Sequence, residues 1–155
     1  MNTIIDYYQR KARVGSFIHL ITSTDEIPEY YFSEEERKHI KSWFRKEKKN
    51  IYSINRAPGV QIIALIPDKK ASFSIIEDIR RMGSDSTSIL KKQKVEDVHI
   101  DNNISLDFLQ AFMEGLLLSN YSFLKYKSDA DGEIYPARVF LRKDKAYIKM
   151  MKEMA

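Results

Sequence analysis

The chain has 155 residues, 43% of them hydrophobic, which fits a single domain over residues 1–155 with a core of its own. It contains no cysteine, so disulfides, thiolate metal sites and a cysteine nucleophile are excluded. The formal net charge of +4 is mild and does not by itself indicate a nucleic-acid partner. The sequence shows neither a secretory signal pattern nor an apolar run of about 20 residues, so we expect a cytoplasmic protein without a membrane segment.

The first predicted elements along the chain are a strand and a helix. Gly15–Thr22 is short and apolar, which predicts a buried strand. We interpret His19 within it as a core or surface-edge histidine rather than a metal ligand, because no other His, Asp or Glu lies at ligand spacing. Ser33–Lys49 predicts a surface helix, because Ser33 and Glu36 have the spacing of a capping box. The acidic first turn and the basic last turn of this helix complement its dipole.

An alternative for this helix is a nucleic-acid patch of basic and aromatic side chains, formed by Trp43, Phe44, Arg45 and Lys46. Core packing already explains the aromatic residues, and the helix dipole explains the cations. We therefore favour the packing interpretation and do not expect nucleic acid as a partner.

A hairpin and a long helix are predicted next. Asn55–Gly59 is a turn between two apolar segments, Ile51–Ile54 and Val60–Ile66, which predicts two paired strands. Ser72–Lys94 carries an apolar stripe at helical spacing, which predicts one helix that can bend near Gly83. A phosphate-binding loop at this glycine is a weak alternative, because the segment lacks the lysine and the second glycine of a P-loop.

Val95–Asp101 alternates apolar and polar residues, which predicts a strand with one apolar side. His99 lies on the other side, with Asp97 and Asp101 beside it. Two carboxylates around a histidine suggest a metal site. Alternation on an exposed strand face explains the pattern better, so we predict no metal here.

Ser105–Ser128 has the strongest pattern in the chain, a wide apolar stripe that predicts a core helix packed on the sheet. Ala111 and Gly115 place small side chains on one line of this helix, where a neighbouring element can approach closely. Core packing does not explain the residues Asn120–Lys127, which we expect to follow the helix.

The remaining segments complete an alternation of strands and helices. The loop Ser128–Pro136 has acidic residues spaced like the first ligands of a calcium loop, but its glycine is misplaced and the final glutamate is missing; the residues are Asp129, Asp131 and Glu133. Ala137–Leu141 predicts a last strand, and Asp144–Met154 predicts a helix. The order of elements predicts an α/β fold, a three-layer α/β/α sandwich with a mixed, largely parallel sheet.

Two stretches resemble a known family. Residues 79–100 predict a helix that leads into a strand, and residues 112–127 have the sequence FMEGLLLSNYSFLKYK. The second stretch resembles an E-G-x-x-L-x-x-Y-x-F-x-x-Y-K segment in the N-terminal domain of the leucyl (cytosol) aminopeptidase family. The resemblance implies a macro-domain-like sandwich that precedes a separate C-terminal catalytic domain.

The resemblance also implies partners and cofactors beyond this chain. Members of the family hold two divalent metals, zinc or manganese, in the C-terminal domain and assemble as homohexamers. Their metal ligands and catalytic residues belong to that domain, with its N-T-D-A-E-G-R-L signature, which nothing in this chain matches. We therefore predict no catalytic, cofactor-binding or metal-binding residue here, and we expect the partners to be a catalytic domain of the same protein and further copies.

Two functional hypotheses stand beside nucleic-acid binding. One is a non-catalytic N-terminal domain that serves assembly and active-site access in a metallopeptidase. The other is a stand-alone macro-like module that binds a nucleotide or an ADP-ribose-type ligand at the carboxyl ends of its strands. The absence of a glycine-rich phosphate loop from the sequence disfavours the second. A self-contained enzyme is least expected, because the sequence contains no supported Ser, His and Asp arrangement.

Overall fold

Six strands form one sheet in the computed structural model, which describes residues 4–8, 15–56, 59–126, 135–136 and 138–142. The strands are β1 (Ile4–Tyr8), β2 (Ser16–Ile21), β3 (Ile51–Arg56), β4 (Gly59–Leu65), β5 (Asp97–Asn102) and β6 (Arg138–Arg142). They lie in the order β1-β6-β5-β2-β4-β3. The pair β3–β4 is antiparallel, as the predicted hairpin requires, and the other pairs are parallel.

The helices of the described residues are α1 (Glu34–Glu47), α2 (Phe73–Lys92) and α3 (Leu106–Tyr126), and a short 3-10 turn spans Thr24–Glu26. Helices lie on both faces of a mixed, mostly parallel sheet, which confirms the predicted α/β class. None of these described helices combines the length and the hydropathy that crossing a membrane requires.

Two element predictions are wrong. β1 has no counterpart among the predicted elements, and its partner β6 lies near the other end of the sequence. α3 continues through Tyr126, so Asn120–Tyr126 belong to the helix and do not follow it. No glycine or proline occurs between Gly115 and Gly132 to end the helix earlier.

Several predicted features lie outside the described residues. They are the tip of the hairpin turn at residues 57–58, the calcium-like loop with Asp129, Asp131 and Glu133, and the helix Asp144–Met154.

One face of the sheet is covered by α2 and α3. Side chains alternate along the strands, so Ile18, Ile62, Val98 and Val139 all point to this face and are fully buried. The helices add further fully buried apolar side chains, among them Ile79, Leu90, Leu109, Phe112, Met113 and Leu116. This face therefore contains the larger of the two hydrophobic clusters.

The two helices on this face cross at a pair of glycines. A Cβ atom on Gly115 would lie 1.9 Å from the Arg80 carbonyl oxygen, and one on Gly83 would lie 2.1 Å from the Phe112 carbonyl oxygen. Each helix thus presses its backbone against the backbone of the other. α2 runs unbroken through Gly83, and this glycine allows the close packing of the two helices. The predicted close approach at Gly115 is confirmed.

The opposite face carries α1. Ser33 Oγ accepts a hydrogen bond from the Glu36 backbone amide, and the Glu36 carboxylate accepts one from the Ser33 amide, which confirms the predicted capping box. Ile40 and Phe44 are buried against Ile63 of the sheet. The aromatic residues of α1 therefore serve packing, as the sequence analysis favoured.

Candidate functional site

Parallel strands β2, β4 and β5 end side by side, and this carboxyl edge is where open α/β sheets usually bind ligands. Polar side chains from the loops after β2 and β5 meet there. The Glu26 carboxylate accepts hydrogen bonds from Thr22 Oγ1 at 2.6 Å, from the Thr22 amide at 3.3 Å and from Asn103 Nδ2 at 3.4 Å. These contacts hold the two loops together around one carboxylate.

A second polar group lies on the face of the sheet that carries α1. His19 is 1% exposed, and its Nε2 atom lies 2.8 Å from Gln61 Oε1. Gln61 Nε2 donates to the Gly15 carbonyl oxygen at 3.1 Å, so its Oε1 atom accepts from the histidine. His19 Nδ1 lies 3.4 Å from Asp101 Oδ2. The histidine is a core residue that connects β2, β4 and β5, as one of the two sequence interpretations proposed.

His99 also lies within a packed region, although the sequence analysis placed it on an exposed strand face. Phe17, His99 and Phe140 are register partners on β2, β5 and β6, and their rings stack with centroid distances of 5.1 and 4.7 Å. The predicted exposed face is therefore wrong, because side chains of two neighbouring strands cover the imidazole. Burial lowers the pKa of His99, and a backbone hydrogen bond with Ser16 and the charge of Asp97 oppose that shift.

Two of the three side chains weighed as a metal site, Asp101 and His99, have different partners. Asp101 contacts His19, whereas His99 is stacked between two phenylalanines. Within the described ranges, no group of three His, Asp or Glu side chains converges as a metal site. These residues therefore do not fit a divalent metal, and we assign no chemistry that depends on one.

A wide groove of 610 Å³ lies at the opposite, amino edge of the parallel strands. Its lining includes Gly15, Arg56 and Lys94, which precede or border the starts of β2, β4 and β5. Arg56 is engaged elsewhere, since it pairs with Glu36 and donates to the Tyr31 carbonyl oxygen. This groove does not coincide with the polar residues of the carboxyl edge.

The segment that suggested a family lies in α3, where its described side chains have a packing role. Phe112 and Leu116 are fully buried, and the Leu116 carbonyl oxygen accepts a hydrogen bond from Thr87 Oγ1 of α2 at 2.9 Å. Glu114 accepts from Arg80 Nε at 2.8 Å. These residues attach α3 to α2.

Comparison with known proteins gives a family and a fold. The model of the cytosol aminopeptidase family, N-terminal domain, matches residues 52–130, which is just over half of the chain and contains α2 and α3. A search of curated proteins gives no match.

Among solved structures, the chain is similar to a mutant of tomato leucine aminopeptidase, with a TM-score of 0.61 and 8% identity. The similarity covers 97% of this chain and 35% of that chain, so the chain spans about a third of the tomato protein's length.

Two macrodomains have the same fold. A mutant of the Oceanobacillus iheyensis macrodomain gives a TM-score of 0.63 at 9% identity, over 97% of this chain and 90% of that one. The macrodomain of Thermus aquaticus DarG gives 0.53 at 14% identity, over 92% and 99%. At such low identities these similarities show the fold alone, which is macrodomain-like, as predicted.

Proposed function

Because the chain belongs to the cytosol aminopeptidase family through its N-terminal domain, we propose that it is the non-catalytic domain of a leucyl aminopeptidase-like metallopeptidase. In this proposal the parent enzyme is cytoplasmic and removes N-terminal amino acids from peptides. Two divalent metals, zinc or manganese, act in a C-terminal domain outside this chain. The observation that carries the proposal is the family match over residues 52–130.

The geometry of the described residues favours a structural role for this domain over a catalytic one. His19 is buried and hydrogen-bonded, and His99 is stacked between aromatic rings, which supports the proposal that neither imidazole transfers a proton to or from a substrate. The helices α2 and α3 form a tightly packed layer, because their backbones are in contact at the crossing. Such a layer could hold the catalytic domain and further copies of the protein in fixed positions.

We propose two tasks for this layer, assembly of a homohexamer and control of access to the active site. Both are tested by comparing the whole protein with a version that lacks residues 1–155. Analytical ultracentrifugation measures the mass, and kcat/KM for a dipeptide and for a long peptide measures access. We expect the shortened protein to form smaller assemblies and to gain relative activity on the long peptide. An unchanged number of subunits per assembly together with an unchanged ratio of the two kcat/KM values would contradict both tasks.

The existence of the catalytic domain has a direct test in the gene. We expect the DNA after codon 155 to encode a domain with the N-T-D-A-E-G-R-L signature. A stop codon directly after Ala155, or a continuation without that signature, would contradict the proposal.

Similarity to macrodomains over 90% and 99% of their lengths favours a second candidate, a module that binds an ADP-ribose-type ligand. The carboxyl edge weighs against it, because the hydrogen-bonded carboxylate of Glu26 and that of Asp101 would repel phosphate groups there. Titration calorimetry with ADP-ribose decides between the candidates. We expect no heat of binding at millimolar ligand, whereas saturable heat would favour the second candidate.

A further inference from the structure

Six cations lie along the part of the carboxyl edge next to β3 and β4. The Leu65 amide donates to the Asn50 carbonyl oxygen at 2.8 Å, which places the end of α1 beside the end of β4. Two segments that are distant in sequence therefore contribute cations to the same edge of the sheet. We call this set the basic edge: Arg45, Lys46, Lys48, Lys49, Lys69 and Lys70.

The cations of the basic edge are exposed and differ from the other cations of α1. Arg37, Lys38 and Lys41 each pair with a carboxylate, at 3.2, 3.5 and 2.8 Å. Within the described part of the chain, no ion pair involves a cation of the basic edge. Three exposed carboxylates lie in the same region, Glu47, Asp68 and Asp85, so the formal net charge of the region is +3. The helix dipole stabilises cations at the end of α1 but does not explain Lys69 and Lys70.

An exposed aromatic residue adjoins these cations. Phe73 is the first residue of α2, follows Lys70 by three positions, and is 81% exposed. It contributes little to the core, so core packing does not account for this side chain. Cations beside an exposed aromatic ring are the combination that binds single-stranded nucleic acid, through phosphate contacts and base stacking.

The basic edge is extended rather than compact. Lys48 and Lys49 border a groove of 550 Å³ whose other wall includes Asp85 and Ser88 of α2. About 18 Å of helix separates Phe73 from Asp85, because an α-helix rises about 1.5 Å per residue. An extended strand of a few nucleotides matches this length better than a compact ligand.

We propose that the basic edge binds single-stranded nucleic acid without sequence preference, with phosphates on the six cations and a base stacked on Phe73. This surface differs from the patch weighed in the sequence, since Phe44 is buried and Phe73 supplies the stacking ring. The proposal does not depend on whether this chain is a domain of an aminopeptidase. It requires only that this edge be accessible.

The electrostatic half of the proposal is tested by fluorescence anisotropy with a fluorescein-labelled oligothymidylate of about 20 nucleotides. For six phosphate contacts we expect log K to fall with log salt with a slope of about −4, since each contact on a single strand contributes about −0.7. The double variant K69Q/K70Q should make the slope shallower by about 1.4. The matched control K38Q/K41Q removes the same charge from ion-paired lysines and should leave the slope unchanged.

The stacking half is tested with Phe73→Ala and a control, Leu118→Ala, which truncates another exposed apolar side chain (58% exposed). We expect Phe73→Ala to weaken binding about tenfold without changing the salt slope, and Leu118→Ala to have no effect. Absence of binding, equal effects of the two lysine pairs, or an unchanged affinity in Phe73→Ala would overturn the proposal. Equal affinity for duplex DNA, or tighter binding to phosphatidylserine vesicles that also depends on Phe73, would overturn it as well.

Discussion

The face of the sheet that carries α2 and α3 contains the larger apolar cluster, whereas the face that carries α1 contains a smaller one and also buries His19 and Gln61. The first face is held by backbones in contact at Gly83 and Gly115. The second combines the smaller apolar cluster with the hydrogen bonds of His19 and Gln61 and with a capped helix. We therefore expect an added methyl group to lower the free energy of unfolding most on the first face, and the loss of a hydrogen-bond partner to lower it most on the second.

The largest effect is expected from Gly115→Ala at the helix crossing. The new Cβ would lie 1.9 Å from the Arg80 carbonyl oxygen, so the two helices must separate. We expect the free energy of unfolding to fall by about 3 kcal/mol, as measured by urea denaturation followed by circular dichroism. In an open helix the same change would stabilise by about 1 kcal/mol, so a gain in stability would contradict the close crossing. Leu118→Ala on the same helix serves as the exposed control.

The next effect is expected from Gln61→Leu on the other face. This change removes the acceptor of His19 Nε2–H and the donor to the Gly15 carbonyl oxygen. We expect a loss of about 2 kcal/mol in the free energy of unfolding, because a buried donor remains without a partner. A second change, His19→Leu, should recover part of this loss in a double-mutant cycle. Additive losses in the cycle would show that the two side chains are not coupled.

A smaller effect is expected at the start of α1. Ser33→Ala removes the acceptor of the Glu36 amide and should cost about 1 kcal/mol. Ser33→Asp should restore the stability, since aspartate caps a helix start as well as serine does. Equal stabilities of the alanine and aspartate variants, measured by thermal unfolding, would show that the cap does not stabilise the domain.

The smallest effect is expected from His99, in the pH dependence of stability. Burial lowers its pKa from 6.5 in the folded state, so the unfolded state binds more protons as the pH falls through that value. The stability that this histidine contributes is therefore present above pH 6.5 and is lost progressively below it. We expect His99→Phe, which keeps an aromatic ring between Phe17 and Phe140, to make the decline of stability between about pH 7.5 and about pH 5.5 shallower. An unchanged decline would show that His99 titrates alike in both states.

Local patterns predicted what depends on local sequence. The capping box of Ser33 and Glu36, the β3–β4 hairpin and the close approach at Gly115 were each predicted from residues that lie near one another in the sequence. The alternation of these elements was sufficient to predict the α/β class, since parallel strands need helical connections.

Features that depend on distant partners were not accessible from the sequence. His19 meets its partners across separations of 42 and 82 residues, and the sequence does not show which polar residues will meet. His99 has the alternation of an exposed face, yet Phe17 and Phe140 cover it from neighbouring strands. Phe73 resembles any first residue of an apolar helix stripe, and its 81% exposure is visible in the structure alone.

Hydrolysis of leucyl-p-nitroanilide, measured with added manganese or zinc, tests the central claim most directly. This assay compares the purified 155-residue chain with the longer protein that is expressed when the gene is read beyond codon 155. We predict no turnover by the chain alone and metal-dependent turnover by the longer protein. Metal-dependent turnover by the 155-residue chain, or none by the longer protein, would contradict its assignment as the non-catalytic domain of an aminopeptidase.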